Sequence, residues 1–241
     1  TGAGAGAGGG TGAGTGGGGT GAGLSAAGTG GGGTATAAAQ FTQVGQVLRA
    51  STDSSKPEYN IKIKLVADRL GETDSRVYRI YYNISDVTDH KSVYAIYGRD
   101  GSPLILPPCI HTSPPFGADI GGVSSTLFTV DADAEFDSWL TLGNAEGPAG
   151  PPQLTHIGID FSRWDDTTGI DASNGAVFNM QPDQGPTSAL PTSTGEPGIL
   201  LAQLNVPNAL GSTDRSIMIH LQGELNAGGD WNQSFAFALP K

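Results

Sequence analysis

The chain has 241 residues, with 12 Lys and Arg against 23 Asp and Glu, and a formal net charge of -11. That balance argues against nucleic acid and anionic membrane surfaces as partners, because both are held by clustered cations. No stretch reaches the roughly 18 apolar residues of a helical membrane span, and the single cysteine, Cys109, excludes an intrachain disulfide.

Residues 1–39 are almost entirely Gly, Ala and Thr, and no charged side chain precedes Arg49. Residues 1–8 read TGAGAGAG, a strict alternation of small side chains, and glycine clusters recur at 16–19 and 30–33. Such a segment buries too little apolar surface to offset the entropy of ordering it, and glycine loses the most. Alone it reads as a flexible tail. The chain starts within this repeat, without Met, and reads as a processed or truncated product. Thr11, Thr15, Thr20 and Thr29 punctuate the segment as candidate O-glycosylation sites. The G-x-G-x-x-G match at 12–17 carries no meaning, since repetition generates it and no strand-to-helix context surrounds it.

The ordinary globular composition begins at Gln40, so the reading is an extended Gly-rich segment, 1–39, followed by one domain, 40–241. The uncharged phrase 40–48 places Phe41, Val44, Val47 and Leu48 as its apolar residues. It reads either as the first strand of the domain or as the root of a segment that leaves it. Beyond it the dominant period is two, the mark of half-buried strands. Ile61, Ile63 and Leu65 alternate with Lys62 and Lys64, and Tyr78, Ile80, Tyr82 and Ile84 share one face of 76–85. Further strands are expected at 91–98, 126–130, 136–143, 155–161, 176–180 and 198–206. In 216–223 Ile217, Ile219 and Leu221 share a face, and in 231–239 Phe235, Phe237 and Leu239 do. Breakers separate these runs, and 103–125 and 181–197 read as long loops. No segment keeps a 3.6 period, so about ten or eleven short strands predict an all-β antiparallel sandwich, jelly-roll-like, in one domain.

Acidic side chains are the only dense polar feature. Asp131, Asp133, Glu135 and Asp137 alternate, which in a strand would align them on one face, and Asp160, Asp165, Asp166 and Asp171 surround Trp164. A solvated acidic surface is the plainer reading. The functional one is calcium, which takes six to eight oxygens from carboxylates and carbonyls, with Asp131, Asp133, Glu135, Asp165 and Asp166 as ligands. A glycosidase pair would need a partner for Glu135 or Asp137 that the sequence does not show. No G-x-S-x-G occurs, and the chain reads as a non-enzyme. None of His90, His111, His156 and His220 has a metal-ligand spacing, and His220, opposite the apolar face of its strand, reads as a surface residue. Trp139 reads as core, and Trp164 as an exposed sugar-stacking candidate. Cys109 reads as a half-buried small hydrophobe, with an intermolecular disulfide as the alternative. The sequons at Asn83 and Asn232, the acidity and the silk-like segment together point to an extracellular or cell-surface protein.

The residues FDSWLTLG at 136–143 are preceded by VYRIYY at 77–82 and VYAIYG at 93–98. They are followed by NGAVF at 174–178, QPD at 181–183 and LLAQL at 200–204. This order resembles a pattern in uncharacterised secreted β-rich modules of algae and bacteria, over roughly half the chain. The resemblance implies a secreted, surface or matrix-associated β module and attaches no activity to it.

Two functions are consistent with these features. The first is a structural subunit of an extracellular filament or matrix, polymerising with copies of itself. Its N-terminal segment would dock on the next subunit by strand addition, with the less Gly-rich part, 34–48, as donor, Phe41, Val44, Val47 and Leu48 as docking residues, and glycans on its surface. A donated segment makes a head-to-tail contact that does not close, and so builds a fibre. The second is a calcium- or carbohydrate-binding β-sandwich on a Gly-rich linker, with Trp164 and the acidic loops as its site.

Overall fold

The computed structural model describes residue 1 and residues 42–71, 73–147, 153–187 and 198–241. Thr11, Thr15, Thr20, Thr29 and Phe41 lie outside the described residues.

The chain is all-β, and two antiparallel sheets pack face to face as a sandwich. The first sheet has the order β1 (Val47–Arg49), β2 (Ile61–Arg69), β3 (Ser75–Tyr82), β10 (Ile199–Pro207) and β6 (Trp139–Leu140). The second is centred on β11 (Ser216–Glu224), which pairs along its length with β12 (Asp230–Ala238). The other side of β11 takes β4 (Ala95–Gly98) and β5 (Leu104–Leu106) end to end. Outside these lie β9 (Gly175–Asn179) on β4 and β8 (Ile170–Ala172) on β5, and β7 (Leu154–Ile157) pairs with β9.

The alternating runs bury the faces their periods predict. Ile61, Ile63 and Leu65 of β2, Tyr78, Ile80 and Tyr82 of β3, Ile217, Ile219 and Leu221 of β11, and Phe235 and Phe237 of β12 meet in one core between the sheets. β10 is buried over eight of its nine residues. Its inner side chains switch parity at a bulge between Leu200 and Ala202, so that Ile199 and Leu201, then Leu204 and Val206, all enter the core. A matching bulge lies in β2 between Leu65 and Ala67. A bulge adds one residue to one strand and reverses the inward set beyond it.

The first sheet is also covered on its outer face. Tyr81, Trp139 and Leu200 point there and pack with Val123, Ala134 and Ala145, with Phe116, Leu127 and Phe128 at the margin. This cover replaces the strands expected at 126–130 and 136–143. Ser125–Thr129 and Ala132–Phe136 are 3-10 turns, and only Trp139–Leu140 pairs as a strand. The turn brings Ala134 down onto Tyr81 and Trp139. The expected loop at 103–125 likewise begins with a strand, β5, and β8 was not anticipated. Both are three residues long.

The end-to-end pairs of the second sheet break at Gly98. A Cβ on this residue would stand 2.0 Å from the Ala172 carbonyl oxygen and 2.3 Å from the Leu104 nitrogen. Both obstacles are backbone, so neither can yield without parting β5 from β8. Gly98→Ala should therefore destabilise the domain by about 3 kcal/mol in urea unfolding. A loss below about 0.5 kcal/mol, the range of an ordinary surface change, would show that the break relaxes freely.

Candidate functional site

Asp137, between the second 3-10 turn and β6, is a buried carboxylate, only 1% exposed. Its Oδ1 accepts from the Thr112 N–H at 2.8 Å and its Oδ2 from the Ala118 N–H at 2.7 Å. His111 Nδ1 lies 3.8 Å from Oδ1, and the His111 ring stands edge-on to Trp164 at 4.5 Å. The neighbouring Ser138 hydroxyl donates to the Ile110 carbonyl at 2.7 Å and accepts from the Asn205 N–H at 2.9 Å. Cys109 N–H donates to the Asp165 carbonyl, and Ile110 N–H to that of Asn205, both at 2.8 Å. Together these bonds tie 109–118 down over the end of the sandwich.

An aspartate and a histidine side by side have the makings of a proton relay. The hydroxyl of the adjacent Ser138 already has both a donor and an acceptor partner. Burial raises the Asp137 carboxyl to about 6, against the lowering effect of the Ala118 and Thr112 N–H groups. Burial lowers His111, opposed by the charges of Asp119 and Asp165. The clefts beside them, of 350 and 260 Å³, share His111, Thr112 and Ser113 in their walls. What the arrangement does with certainty of geometry is hold a loop.

The sequence-predicted site residues are dispersed. Asp131 accepts from the Asp133 N–H at 2.9 Å as the cap of a 3-10 turn, and Asp133 pairs with Arg69. Glu135 is exposed. Asp165 accepts from the Thr167 N–H at 2.8 Å and the Thr168 N–H at 2.7 Å, closing its own turn, and Asp166 is exposed. The common strand face expected for Asp131, Asp133, Glu135 and Asp137 is absent because that segment is helical. Among the described residues no three His, Cys, Asp or Glu side chains come together as a metal site.

Trp164 is not exposed. It retains 4% of its surface and donates to the Pro107 carbonyl at 2.9 Å. Trp139, as expected, is core, at 2%. His220 is buried at 1% rather than lying on the surface, with Nδ1 2.6 Å from the Ser234 hydroxyl. Cys109 is wholly buried, which removes the intermolecular disulfide, and burial raises its thiol above the ordinary range.

Of the two sequons, Asn83 is 4% exposed and follows β3 into the core, so a glycan on its amide has no way out of the folded domain. Asn232 is exposed on β12. Leu48 opposes Ile63 in β1 and packs against the domain's own core, so this part of the docking phrase is the first strand of the domain. Val44 is 53% and Val47 39% exposed.

The feature that sequence reading missed is the pattern of sheet edges. β1 and β6 end the first sheet with three and two residues. β12 ends the second with nine. Leu239 N–H donates to the Arg215 carbonyl, which sets the ladder's parity: odd residues of β12 bond to β11, and even residues turn their N–H and C=O outward. Asp230, Asn232, Ser234, Ala236 and Ala238 therefore line an edge that pairs with no further strand among the described residues. The Ala236 N–H is taken by Glu58 Oε1 at 3.1 Å. Among the described residues the outward N–H groups of Asn232 and Ser234 have no protein partner.

No protein-family model, curated protein or solved structure matches the chain.

Two measurements check the buried groups. Asp137 has a native pKa above its unfolded one, so its stabilisation is fully present below the unfolded value and lost as pH rises through about 6. The stability gap between wild type and Asp137→Asn should widen by about 2 kcal/mol from pH 7 to pH 4. The buried histidines drift the other way but are common to both proteins. A constant gap in a pH series of urea unfolding curves would mean that Asp137 titrates like an exposed carboxyl. Cys109 should resist a thiol reagent in the native protein and react fully in urea; equal rates in both states would show an accessible thiol.

Proposed function

We propose that the chain is a structural subunit of an extracellular filament or matrix, assembling head-to-tail through its N-terminal segment. The observation that carries this reading is the way the chain enters the sandwich. Residues 1–48 hold no charged side chain, and their last stretch runs onto the domain with Thr42, Gln43, Val44 and Gly45 exposed. Val44 before β1 and Val47 at its start offer apolar surface, and this strand of three residues gives the entry little cover of its own. A segment without charge and with few large apolar side chains gains little by folding on itself. It gains most by giving its backbone hydrogen bonds to an existing sheet.

The domain's polar residues support the same reading. Asp137, Ser138, Trp164 and Asp165 are each engaged in closing loops. Trp164, the side chain on which a carbohydrate-binding surface would have rested, is inside. Copies of the same chain are the proposed partner, with glycans on the threonines of the segment beyond residue 8.

Negative-stain microscopy and gel filtration of the native chain and of a variant lacking residues 1–39 test this. The full chain should form regular filaments, and the shortened one should be folded and monomeric. Filaments from the shortened chain, or isolated globules from the full one, would overturn the proposal.

A further inference from the structure

We infer that the acceptor is the free edge of β12, and that its occupant is the segment of residues 1–39 from a second copy. This inference rests on the assembly reading above and names the surface it requires.

The edge is long where natural sheets keep edges short. Unpaired strand edges recruit other strands, so most are brief, charged or covered. β1 and β6 follow that rule, whereas β12 is a nine-residue strand whose outward N–H groups at Asn232 and Ser234 have no partner among the described residues. Its guard is partial: the 3-10 turn Pro57–Asn60 lies against the strand, and its Glu58 takes the Ala236 N–H. From Asn232 to Ala238 the strand carries no charge. Its exposed side chains are Asn232, Ser234, Ala236 and Ala238, and three of these are among the smallest available.

The segment is complementary to that edge in three respects. It alternates small side chains with glycine at 1–8, matching the two-residue period of an added strand. Alanines on one face would meet Ser234 and Ala236, and glycines on the other let the new backbone lie close against the flank of the sandwich at Trp231 and Phe235. It is also neutral. The net charge of -11 lies wholly in residues 49–241, so two domains repel, while an uncharged arm approaches without that cost. Lastly it is long enough: residues 1–39 extended at about 3.3 Å each reach roughly 130 Å, several times the width of such a domain.

The test uses the full chain with Asn232→Pro. Proline at an outward-facing edge position removes no bond to β11 but deletes the N–H an added strand needs. Asn232→Gln serves as the control for losing the sequon. Filaments should be lost in Asn232→Pro, with its thermal unfolding kept, and retained in Asn232→Gln. Hydrogen exchange on the wild type covers the case in which the proline variant does not fold: the amides of Asn232 and Ser234 should exchange freely in dilute monomer and become protected on assembly. Filaments from a folded Asn232→Pro chain, or the same exchange in both states, would remove β12 as the acceptor. If the chain lacking 1–39 were at the same time unable to assemble, the assembly reading itself would stand. Protection of these amides already in the dilute monomer would place the segment on its own domain and overturn the inference.

Discussion

Burial of β10 on both faces is the constraint from which the rest of the domain follows. On the inner side Ile199, Leu201, Leu204 and Val206 meet the second sheet, and on the outer side Leu200 lies under the 3-10 turns beside Tyr81 and Trp139. Covering the outer face takes a long excursion of chain, and an excursion over a sheet must satisfy its own backbone groups without a ladder. Asp137, Ser138 and Gln203 supply those bonds. Gln203 Nε2 donates to the carbonyls of Glu135 and Asp137 at 2.9 and 2.8 Å. The buried polar residues are thus the counterpart of the apolar ones: one set draws the cover down, and the other makes its backbone tolerable there.

The same logic explains the other buried polar side chains. Arg215 is 1% exposed, yet it reaches the Tyr78 hydroxyl at 3.1 Å and the Pro207 carbonyl at 3.0 Å. Tyr78 in turn donates to the Pro240 carbonyl at 2.8 Å, which fixes the end of the chain to the core of the first sheet. His90 lies flat on Trp231 at 3.8 Å and shares a 2.7 Å hydrogen bond with Tyr82. Burial lowers the pKa of the half-buried His90 and of the buried His220. Residue types that carry chemistry in other proteins here complete hydrogen-bond sets around loops and strand ends.

The sequence made the core strands legible because their alternation is local. Ile61, Ile63 and Leu65, or Ile217, Ile219 and Leu221, declare one buried face within a few residues. It hid what depends on tertiary cover. The acids of 131–137 have strand spacing, but Ala134 among them is the residue wanted by the outer face, and a 3-10 turn delivers it. Trp164 sits between Arg163 and Asp165, and His220 alternates with Ile219 and Leu221; both read as exposed, although other parts of the chain close over them. β5 and β8 are too short to show a period. The Asp137 network was partly visible, since the acid had been singled out, but its partners Thr112 and Ala118 lie in a loop whose path no local signal sets.

The free edge of β12 was invisible for a different reason. Which strand ends a sheet is a property of pairing order, and the phrase WNQSFAFA reads the same on an edge or in the middle. Once the order is known, the composition of that strand acquires meaning. Its inward set, Trp231, Phe235 and Phe237, is large and holds the strand to the domain. Its outward set is small and leaves the neighbouring space open to a second backbone. A protein selected only to remain a monomer gains nothing from this combination, because charge or proline at Asn232 or Ala238 would close the edge at little cost to the core. Beside an uncharged segment of alternating glycine and alanine, retention of such an edge has a physical rationale as one half of a contact.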